Sequence, residues 1–381
     1  MKLQIEQQGK MKIALITIHW CNNYGAVLQT FATQKILSQY GEVEIINYFN
    51  PRFQYEFDLI RFNLSIQGIK MMIHDILRLK DRNKGIKKFK NFIESNIKLS
   101  KLLTQHDIQT GATNDFDVYV CGSDQIWNPS IISKDGELDP IYFLSFAKKP
   151  AKKISYASSM GQHYRLTDFE KAKVKDLLKD FTTISVRESD AQEMLSQLLE
   201  RKVFHVLDPT LLLSKEEWFE ALQLDKNYRS QKEDYILVYR RSKTPLLKKA
   251  VEFVVNQVGK KVVIIDQAFK LHTKAYFHIR DAGPIEFIEL FANARWVITD
   301  SFHGTCFSIN FKKPFVAVCP AWYGGNRVES LLNLFGLKDR FINDEKDIYK
   351  LNVDLNYDSL EKQLQEERAK SIKVLSSSIV S

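Results

Sequence analysis

The chain has 381 residues, a length typical of two domains that can each bury a core of their own. Its composition, 44% hydrophobic and 12% aromatic, excludes an intrinsically disordered protein. The formal net charge of +9 favours an anionic partner, whether a phosphorylated substrate, an acidic lipid surface or a nucleic acid, and does not choose among them.

Cysteine usage and hydropathy narrow the class of protein and its expected location. The four cysteines are scattered, without CxxC spacing or a Cys/His cluster, so we expect neither a disulfide framework nor a metal site. Residues 1–10 are polar, and no apolar run approaches the ~20 residues of a membrane-spanning helix. We therefore expect a cytoplasmic protein without a secretory signal.

The first predicted strand, 12–18, is followed by an unusually polar turn and a predicted helix, 25–40. In an open α/β sheet the carboxyl end of such a strand borders the ligand crevice. Side chains of the turn are therefore candidates to bind a polyol or a phosphate: His19, Asn22, Asn23 and Tyr24. Packing is the alternative for the tyrosine.

A basic stretch follows the second predicted strand, 42–48. Residues 61–101 have helical periodicity and contain eleven Lys/Arg against three Asp/Glu. A solvated helix face would explain this charge. The functional alternative is a helical insertion, 55–103, that touches an anionic membrane, with apolar residues in the interface and Lys/Arg at the headgroups.

Hydrogen-bonding groups also follow the predicted strand 117–121. There Asp124 is a candidate base or a ligand for hydroxyls. Gln125 is a candidate to hydrogen-bond the same ligand, and Trp127 a candidate apolar wall for a sugar ring. Capping of the turn is the alternative for Asp124.

Arg187 ends a further predicted strand, 183–186, where its guanidinium could hold a carboxylate or phosphate in a two-pronged hydrogen bond. A salt bridge with Glu188 or Asp190 is the alternative.

The polar segment 224–234 predicts the crossing into a second α/β half. We expect an N-terminal Rossmann-like domain at 11–223, a C-terminal one at 232–350, and a charged C-terminal helix, 357–376, that returns to the first domain. Two basic residues, Arg240 and Arg241, form a turn after the first strand of the second half.

The stretch 295–318 predicts a strand, a turn, a helix and a second strand. The helix N-terminus would face the ligand crevice with unpaired N–H groups and partial positive charge. Its first turn contains Ser301, His303, Gly304 and Thr305, with Asp300 in reach as an orienting partner. An anion bound there would have an imidazole beside it, whereas the alternative is a histidine that merely packs or faces solvent.

Two such halves predict an α/β fold with two Rossmann-like domains facing a central cleft. Motifs of several other enzyme classes are missing from the sequence: no GxGxxG follows the first strand, and GxxxxGK[ST], GxSxG and HExxH are absent.

Five motifs occur in order between residues 12 and 337, and with them the chain resembles the polysaccharide pyruvyl transferase family. They are Asn23-Tyr24-Gly25-Ala26, Gly122-Ser123-Asp124-Gln125-Ile126-Trp127, Ser185-Val186-Arg187-Glu188, Val206-Leu207-Asp208-Pro209 and Ser301-Phe302-His303-Gly304. The resemblance implies a GT-B-like fold. It also implies transfer of the pyruvyl unit of phosphoenolpyruvate onto sugar hydroxyls, forming a ketal, in surface polysaccharide (capsule or exopolysaccharide) biosynthesis on a lipid-linked acceptor.

By this resemblance His303 matches the family's catalytic histidine and Arg187 its donor-binding arginine. Many members carry an arginine where this chain has Ser301, a loss that Arg327, Arg240 or Arg241 is placed to offset from neighbouring turns. His303 would carry the proton and Asp124 would serve as base or anchor for the hydroxyl. We expect phosphoenolpyruvate as donor substrate and no cofactor.

Two other functions remain open at this stage. One is a GT-B glycosyltransferase that uses a nucleotide sugar. The other is a basic protein that binds membrane or nucleic acid, although no RNA-recognition signature is present and we expect no nucleic acid partner.

Overall fold

The structure is a computed structural model that describes residues 10–113, 115–161, 166–224, 234–266, 277–319, 325–352 and 357–380. Within these residues the chain forms two parallel sheets, one in each half, flanked by helices. The predicted crossing at 224–234 lies almost entirely outside the described residues, so the domain boundaries stay a prediction.

The first half contains a parallel sheet with the strand order β2-β1-β3-β4, next to a short parallel pair, β5-β6. The strands are β1 (Lys12–Ile16), β2 (Glu42–Ile45), β3 (Val118–Cys121), β4 (Lys152–Ser155), β5 (Ser185–Val186) and β6 (Phe204–His205). The helices are α1 (Tyr24–Leu37), α2 (Ile66–Leu77), α3 (Leu79–Asn96), α4 (Gln105–Gln109), α5 (Pro129–Ile132), α6 (Asp168–Leu178), α7 (Ser189–Leu199) and α8 (Lys215–Ala221).

The second half contains a parallel sheet with the order β12-β11-β10-β7-β8-β9. Its strands are β7 (Tyr235–Tyr239), β8 (Lys261–Ile265), β9 (Phe277–Ile279), β10 (Trp296–Thr299), β11 (Phe315–Val318) and β12 (Phe341–Ile342). The helices are α9 (Pro245–Val258), α10 (Pro284–Asn293), α11 (Phe302–Asn310), α12 (Asn326–Leu334), α13 (Glu345–Ile348) and α14 (Asp358–Val380).

The burial of the central strands accounts for their continuous apolar pattern in the sequence. Every residue of β3, β7, β10 and β11 is buried, as expected for parallel strands covered by helices on both faces. The strand–helix–strand unit predicted at 295–318 is present as β10, α11 and β11. The predicted α/β architecture with two parallel sheets is therefore confirmed.

The basic stretch 61–101 forms two helices with a break at Arg78, whose φ of −117° departs from helical geometry. The carboxylate of Asp75 lies beneath this break. It accepts hydrogen bonds from the Arg61 side chain at 2.7 and 2.9 Å, and guanidinium nitrogens of Arg78 and Arg82 lie 3.6 and 3.9 Å away.

The two halves meet through aromatic packing of α1 and α3 against α10. The Tyr24 ring stacks on Phe287 with centroids 4.5 Å apart, and its hydroxyl donates a 2.8 Å hydrogen bond to the carbonyl of Ala282. An ion pair of 2.6 Å between Lys88 and Glu286 adds a charged contact. Tyr24, predicted to bind the acceptor, instead packs between the halves.

The long helix α14 contacts both halves. Its Arg368 donates hydrogen bonds to the Leu211 carbonyl at 2.6 Å and to Asn310 Oδ1 at 2.7 Å, and its Ser371 accepts one from the backbone N–H of Leu207. No helix in the described ranges is both long and apolar enough to cross a membrane.

We expect Tyr24→Phe to lower the free energy of unfolding by about 1 kcal/mol, because it removes the hydroxyl that pairs with the Ala282 carbonyl while it preserves the stacked ring. Urea denaturation followed by tryptophan fluorescence measures this. Tyr349→Phe, at a tyrosine that is 71% exposed, is the matched control. Equal midpoints for wild type and Tyr24→Phe would contradict a stabilising role of this hydrogen bond.

Candidate active site

A cavity of about 650 Å³ lies between the two halves. Polar side chains from both line it, at the carboxyl ends of parallel strands as expected for an open α/β sheet. From the first half these are Asn22, Asn23, Arg52, Glu56, Asp124, Gln125, Asn128 and Ser130, and from the second Arg241, Asp300, Ser301, His303 and Arg327. The structure therefore brings most of the predicted site residues together.

The N-termini of two helices open into this cavity. Asn23 caps α1 by accepting a 3.0 Å hydrogen bond from the backbone N–H of Gly25, and Ser301 caps α11 by accepting a 3.4 Å bond from that of Gly304. Each N-terminus carries a partial positive charge that favours an anion. Both capping residues, Asn23 and Ser301, line the cavity.

Asp300 joins the basic turn after β7 to the start of α11. Its carboxylate accepts hydrogen bonds from the backbone N–H groups of Arg241 at 2.6 Å and Ser242 at 2.7 Å. It therefore orients that turn, and the expectation that it orients His303 is wrong. The residue that faces the imidazole is Asp208.

His303 is held between the halves and is 7% exposed. A Cβ atom on Gly25 would lie 2.0 Å from His303 Nδ1, so α1 admits the ring only where it has a glycine. On the other side Nε2 lies 3.7 Å from Asp208 Oδ2, too far for a hydrogen bond. This nitrogen is buried and has no hydrogen-bond partner in the described structure. Catalytic hydrogen bonds often tighten only when substrate binds.

Asp208 is a site residue to which the sequence analysis assigned no role, although one of the five motifs contains it. Its carboxylate accepts hydrogen bonds from the Arg187 guanidinium at 2.7 Å, Ser123 Oγ at 3.1 Å and the backbone N–H of Thr210 at 3.0 Å. Burial alone would raise its pKa, but the charges of His303 and Arg187 outweigh this and hold the pKa of Asp208 well below its usual range. Its carboxylate is therefore ionised beside the imidazole. Its signal in the sequence was its place in the motif Val206-Leu207-Asp208-Pro209, after a short strand.

Arg187 is enclosed by carboxylates. Its guanidinium lies 2.7 Å from Asp208, 3.1 Å from Asp124 and 3.3 Å from Glu188, and it stacks on the Phe302 ring at 4.5 Å. The salt bridge considered from the sequence is thus present with Glu188, in company with two acids from other strands. In this conformation the guanidinium is engaged behind the cavity wall, so a direct donor contact stays a prediction.

Asp124 lines the cavity in an unusual backbone conformation, with a φ of +68°. Such left-handed geometry at a non-glycine residue is strained and is held here by hydrogen bonds to Asp124 Oδ1 from the Gln125 backbone N–H at 2.8 Å and from Arg187 at 3.1 Å. Burial opposes ionisation, yet the charges of Arg187 and His303 lower the pKa of Asp124. Its carboxylate is therefore a charged hydrogen-bond acceptor and a weak base.

Of the three arginines expected to offset Ser301, two line the cavity. Arg327 and Arg241 do, whereas Arg240 is 5% exposed and forms an ion pair with Asp266 outside it. Burial, together with the positive charge of Arg187, lowers the pKa of Arg327. Arg327 Nε has no hydrogen-bond partner in the described part of the chain, which leaves this donor available to a ligand.

Four other candidates do not line the cavity: Trp127, His19, Gly304 and Thr305. Trp127 is fully buried, stacks on Phe143 and donates its indole N–H to the Tyr142 carbonyl, so it belongs to the core. His19 lies within hydrogen-bonding distance of Asn47, beside a separate small pocket.

Gly304 and Thr305 face inward from α11. A Cβ at Gly304 would meet Thr299 Oγ1 at 2.3 Å, and the Thr305 hydroxyl donates to the Ser301 carbonyl. Neither residue is among those that line the cavity, so their part is to pack and shape the helix start.

Two further lining residues, Arg52 and Glu56, were not anticipated, because the loop that follows β2 has no periodic pattern. Cys21 also lines the cavity, but burial, with the nearby acids Glu56 and Asp124, raises its pKa well above the usual range. The thiol is therefore neutral, which argues against a cysteine nucleophile.

We expect Asp208→Asn to lower the free energy of unfolding at neutral pH by about 3–5 kcal/mol, because it leaves Arg187 short of a buried partner. The depressed pKa of Asp208 contributes stability above its unfolded-state value of ~3.9, and that contribution is lost as pH falls below it. Over this window the wild type should lose up to ~1.4 kcal/mol per pH unit more than the variant.

Urea titrations across the acid range test this linkage. Asp168→Asn, at an exposed ion pair with Lys171, is the control and should leave the acid limb almost unchanged. If the free energy of unfolding fell equally steeply with decreasing pH in Asp208→Asn and wild type, Asp208 would not be the source of the acid sensitivity.

Comparison with solved structures shows that the fold is GT-B-like. UDP-GlcNAc 2-epimerase from Neisseria meningitidis matches with a TM-score of 0.52 and 10% identity, covering 97% of this chain and 100% of that one. A putative UDP-N-acetylglucosamine 2-epimerase from Listeria monocytogenes matches with a TM-score of 0.52 and 10% identity over 94% and 91%. MnaA from S. aureus, in a structure with UDP, matches with a TM-score of 0.51 and 11% identity over 89% and 86%. Identities this low show a shared fold alone.

Sequence comparison gives the family. No curated protein sequence matches the chain significantly. The family model described as polysaccharide pyruvyl transferase matches residues 23–318, which include α1, the Asp124 turn, the Arg187 cluster and the His303 helix. This chain belongs to the polysaccharide pyruvyl transferase family.

Proposed function

We propose that this protein transfers the pyruvyl unit of phosphoenolpyruvate onto two hydroxyls of a sugar, forming a pyruvate ketal and releasing phosphate during surface polysaccharide biosynthesis. Family membership supports the reaction class. The observation that carries the proposal is the position of His303, 3.7 Å from the ionised Asp208, at a cavity that is lined by Arg52, Arg241 and Arg327 and by two helix N-termini. That cavity suits a small, highly charged donor.

The donor belongs on the wall contributed by the second half. Phosphoenolpyruvate carries up to three negative charges, and this wall presents Arg241, Arg327 and the N-terminus of α11. Arg327 takes the place of the cation that is missing at Ser301. The guanidiniums of Arg327 and Arg187 both contact the ring of Phe302.

The reaction needs one proton at carbon and one at phosphate. The first hydroxyl adds to C2 of the enol phosphate while the methylene carbon gains a proton, and the second hydroxyl displaces phosphate from the same carbon. The two hydroxyl protons thus end, in net terms, on the new methyl group and on the departing phosphate. His303 is the proton carrier in this scheme, with the ionised Asp208 stabilising its protonated form.

The acceptor sugar belongs on the opposite wall. Asn22, Asn23 and Gln125 offer amide groups to sugar hydroxyls there, and the Asp124 carboxylate offers a charged acceptor. Because its pKa is lowered by the surrounding cations, Asp124 is better suited to anchor a hydroxyl than to remove its proton. A lipid-linked oligosaccharide or repeat unit is the acceptor we propose.

We expect His303→Gln to reduce acceptor-dependent phosphate release from phosphoenolpyruvate by ~10²–10⁴-fold, because it removes the proton carrier. A colorimetric phosphate assay with lipid-linked glycans, read in parallel by mass for the ketal, measures this. His106→Gln, at an exposed histidine, is the matched control. Turnover within threefold of wild type would exclude His303 as the catalytic acid/base.

The same assay separates the alternative enzyme. Incubation with nucleotide sugars and the same glycans should release no nucleotide. Nucleotide release without phosphate release from phosphoenolpyruvate would replace this proposal with a glycosyltransferase.

We expect Arg327→Gln to raise the KM for phosphoenolpyruvate at least tenfold with a smaller change in kcat, because the substitution removes a cation whose Nε is free to bind the donor. Initial rates against donor concentration measure it. Arg295→Gln, at an exposed arginine outside the cavity, is the matched control. An unchanged KM would place the donor elsewhere.

A further inference from the structure

Exposed apolar side chains are concentrated in one short stretch of this protein. Of the seventeen large hydrophobic residues that are exposed in the described structure, eleven lie between residues 55 and 79. Phe62, Leu64 and Ile66, just before and at the start of α2, are 68%, 76% and 77% exposed. We call the following set the apolar patch: Phe62, Leu64, Ile66, Ile69, Ile73, Ile76 and Leu77.

Helix α2 exposes its apolar face, whereas a surface helix normally buries that face against the core. The isoleucines at 66, 69, 73 and 76 are spaced for one side of a helix and are exposed, whereas Asp75 is buried. The buried carboxylate of Asp75 is paired with three guanidiniums, those of Arg61, Arg78 and Arg82. An apolar stripe that faces outward in this way marks an interaction surface.

The charges beside the apolar patch match an anionic surface. Lys70 and Lys80 are exposed on α2 and at the start of α3. Between residues 59 and 80 the sequence contains a single acid, Asp75, and its carboxylate is buried in ion pairs. A symmetric pairing of two copies through this face would bring like charges together, whereas anionic headgroups would meet the exposed Lys70 and Lys80.

Within the insertion 55–103, for which the sequence allowed a membrane contact, lysines of α3 are engaged elsewhere. Lys88 and Lys84 of α3 pair with Glu286 and Asp281 of the second half, at 2.6 and 3.9 Å, and Lys90 lies over the Phe57 ring. These lysines stabilise the contact between the halves and are not free to serve headgroups. Reversing their charge would therefore disturb the fold rather than test membrane binding.

The apolar patch lies beside the cavity. Phe53 and Glu56 line the cavity and are followed directly along the chain by the loop that leads to the patch. A surface bound through this face would therefore contact the segment that leads directly into the cavity lining.

We infer that the apolar patch inserts into the interfacial region of an anionic bilayer, with Lys70 and Lys80 at the headgroups, and holds the cavity at the lipid surface. An amphipathic helix of this kind lies in the plane of the interface without spanning it. This part of the inference rests on the proposed function. The placement brings the enzyme to a lipid-linked acceptor, while a small charged donor enters from water.

The experiment is sedimentation of the full-length protein with vesicles of phosphatidylcholine alone or mixed with phosphatidylglycerol. We expect binding to the mixed vesicles, weakened by salt, and a loss of at least about tenfold in the partition coefficient for the double variant Ile69→Gln/Ile73→Gln. The double variant Leu102→Gln/Phe169→Gln is the matched control, since both residues are exposed and apolar but lie outside the patch. Lys70→Glu/Lys80→Glu should weaken binding to the mixed vesicles at low salt and bind neutral vesicles as wild type does.

Several results would overturn the inference. These are an absence of wild-type binding to the mixed vesicles, equal losses in the patch and control variants, or light scattering that shows a dimer converted to a monomer by Ile69→Gln/Ile73→Gln without vesicle binding. The last result would assign the face to a second copy of the chain.

Phosphate release separates this inference from the proposed function. If both hold, the patch variant should keep its rate on a water-soluble acceptor and lose rate on an acceptor embedded in vesicles. Vesicle binding by a protein that releases no phosphate from phosphoenolpyruvate would leave the membrane contact standing and remove the proposed reaction.

Discussion

The buried guanidinium of Arg187 ties together parts of the site that are far apart in the chain. Removing a cation from water costs several kcal/mol unless opposite charges surround it. Here Asp124, Glu188 and Asp208 do so, and each follows a different strand, β3, β5 and β6. Burial raises the pKa of Glu188, which Arg187 only partly offsets, while Asp124 and Asp208 stay ionised. The cluster therefore fixes where the strand ends lie and which acids carry charge.

The imidazole depends on this cluster although it comes from the other half of the protein. His303 is carried by α11, yet its ring lies against Gly25 of α1 and beside Asp208. The stack of Tyr24 on Phe287 keeps the two halves in contact next to it. Neither half alone contains both the histidine and its acidic neighbour, so the site is complete only where the halves pack.

The two walls of the cavity differ in chemistry, and the difference gives the proposed reaction a direction. Arg241, Arg327 and the N-terminus of α11 lie on the wall from the second half, whereas most of the amide side chains lie on the wall from the first. An anionic donor and a hydroxylated acceptor would thus approach from opposite sides. The apolar patch beside the entrance would add a third constraint, the plane in which a lipid-linked acceptor is presented.

Much of the architecture was predictable because strands and helices leave local periodic patterns. The predicted strand 12–18 and helix 25–40 are present as β1 and α1, and the unit from β10 to β11 was predicted from residues 295–318. Family motifs also pointed to His303, Asp124 and Gln125, all of which line the cavity. Parallel strands place their carboxyl ends at one edge, so residues after them converge whatever their separation in sequence.

By itself the sequence thus determined which segments form strands and helices and which turns border the cleft, since both follow from short-range patterns. The tertiary structure alone decided which polar groups meet. It placed Asp208 rather than Asp300 beside the imidazole, enclosed Arg187 in carboxylates and buried Trp127 in the core. It also turned the apolar side of α2 outward. Periodicity reveals that a helix has two faces, but the partners of Asp75 decide which of them is buried, and a one-dimensional pattern does not contain those contacts.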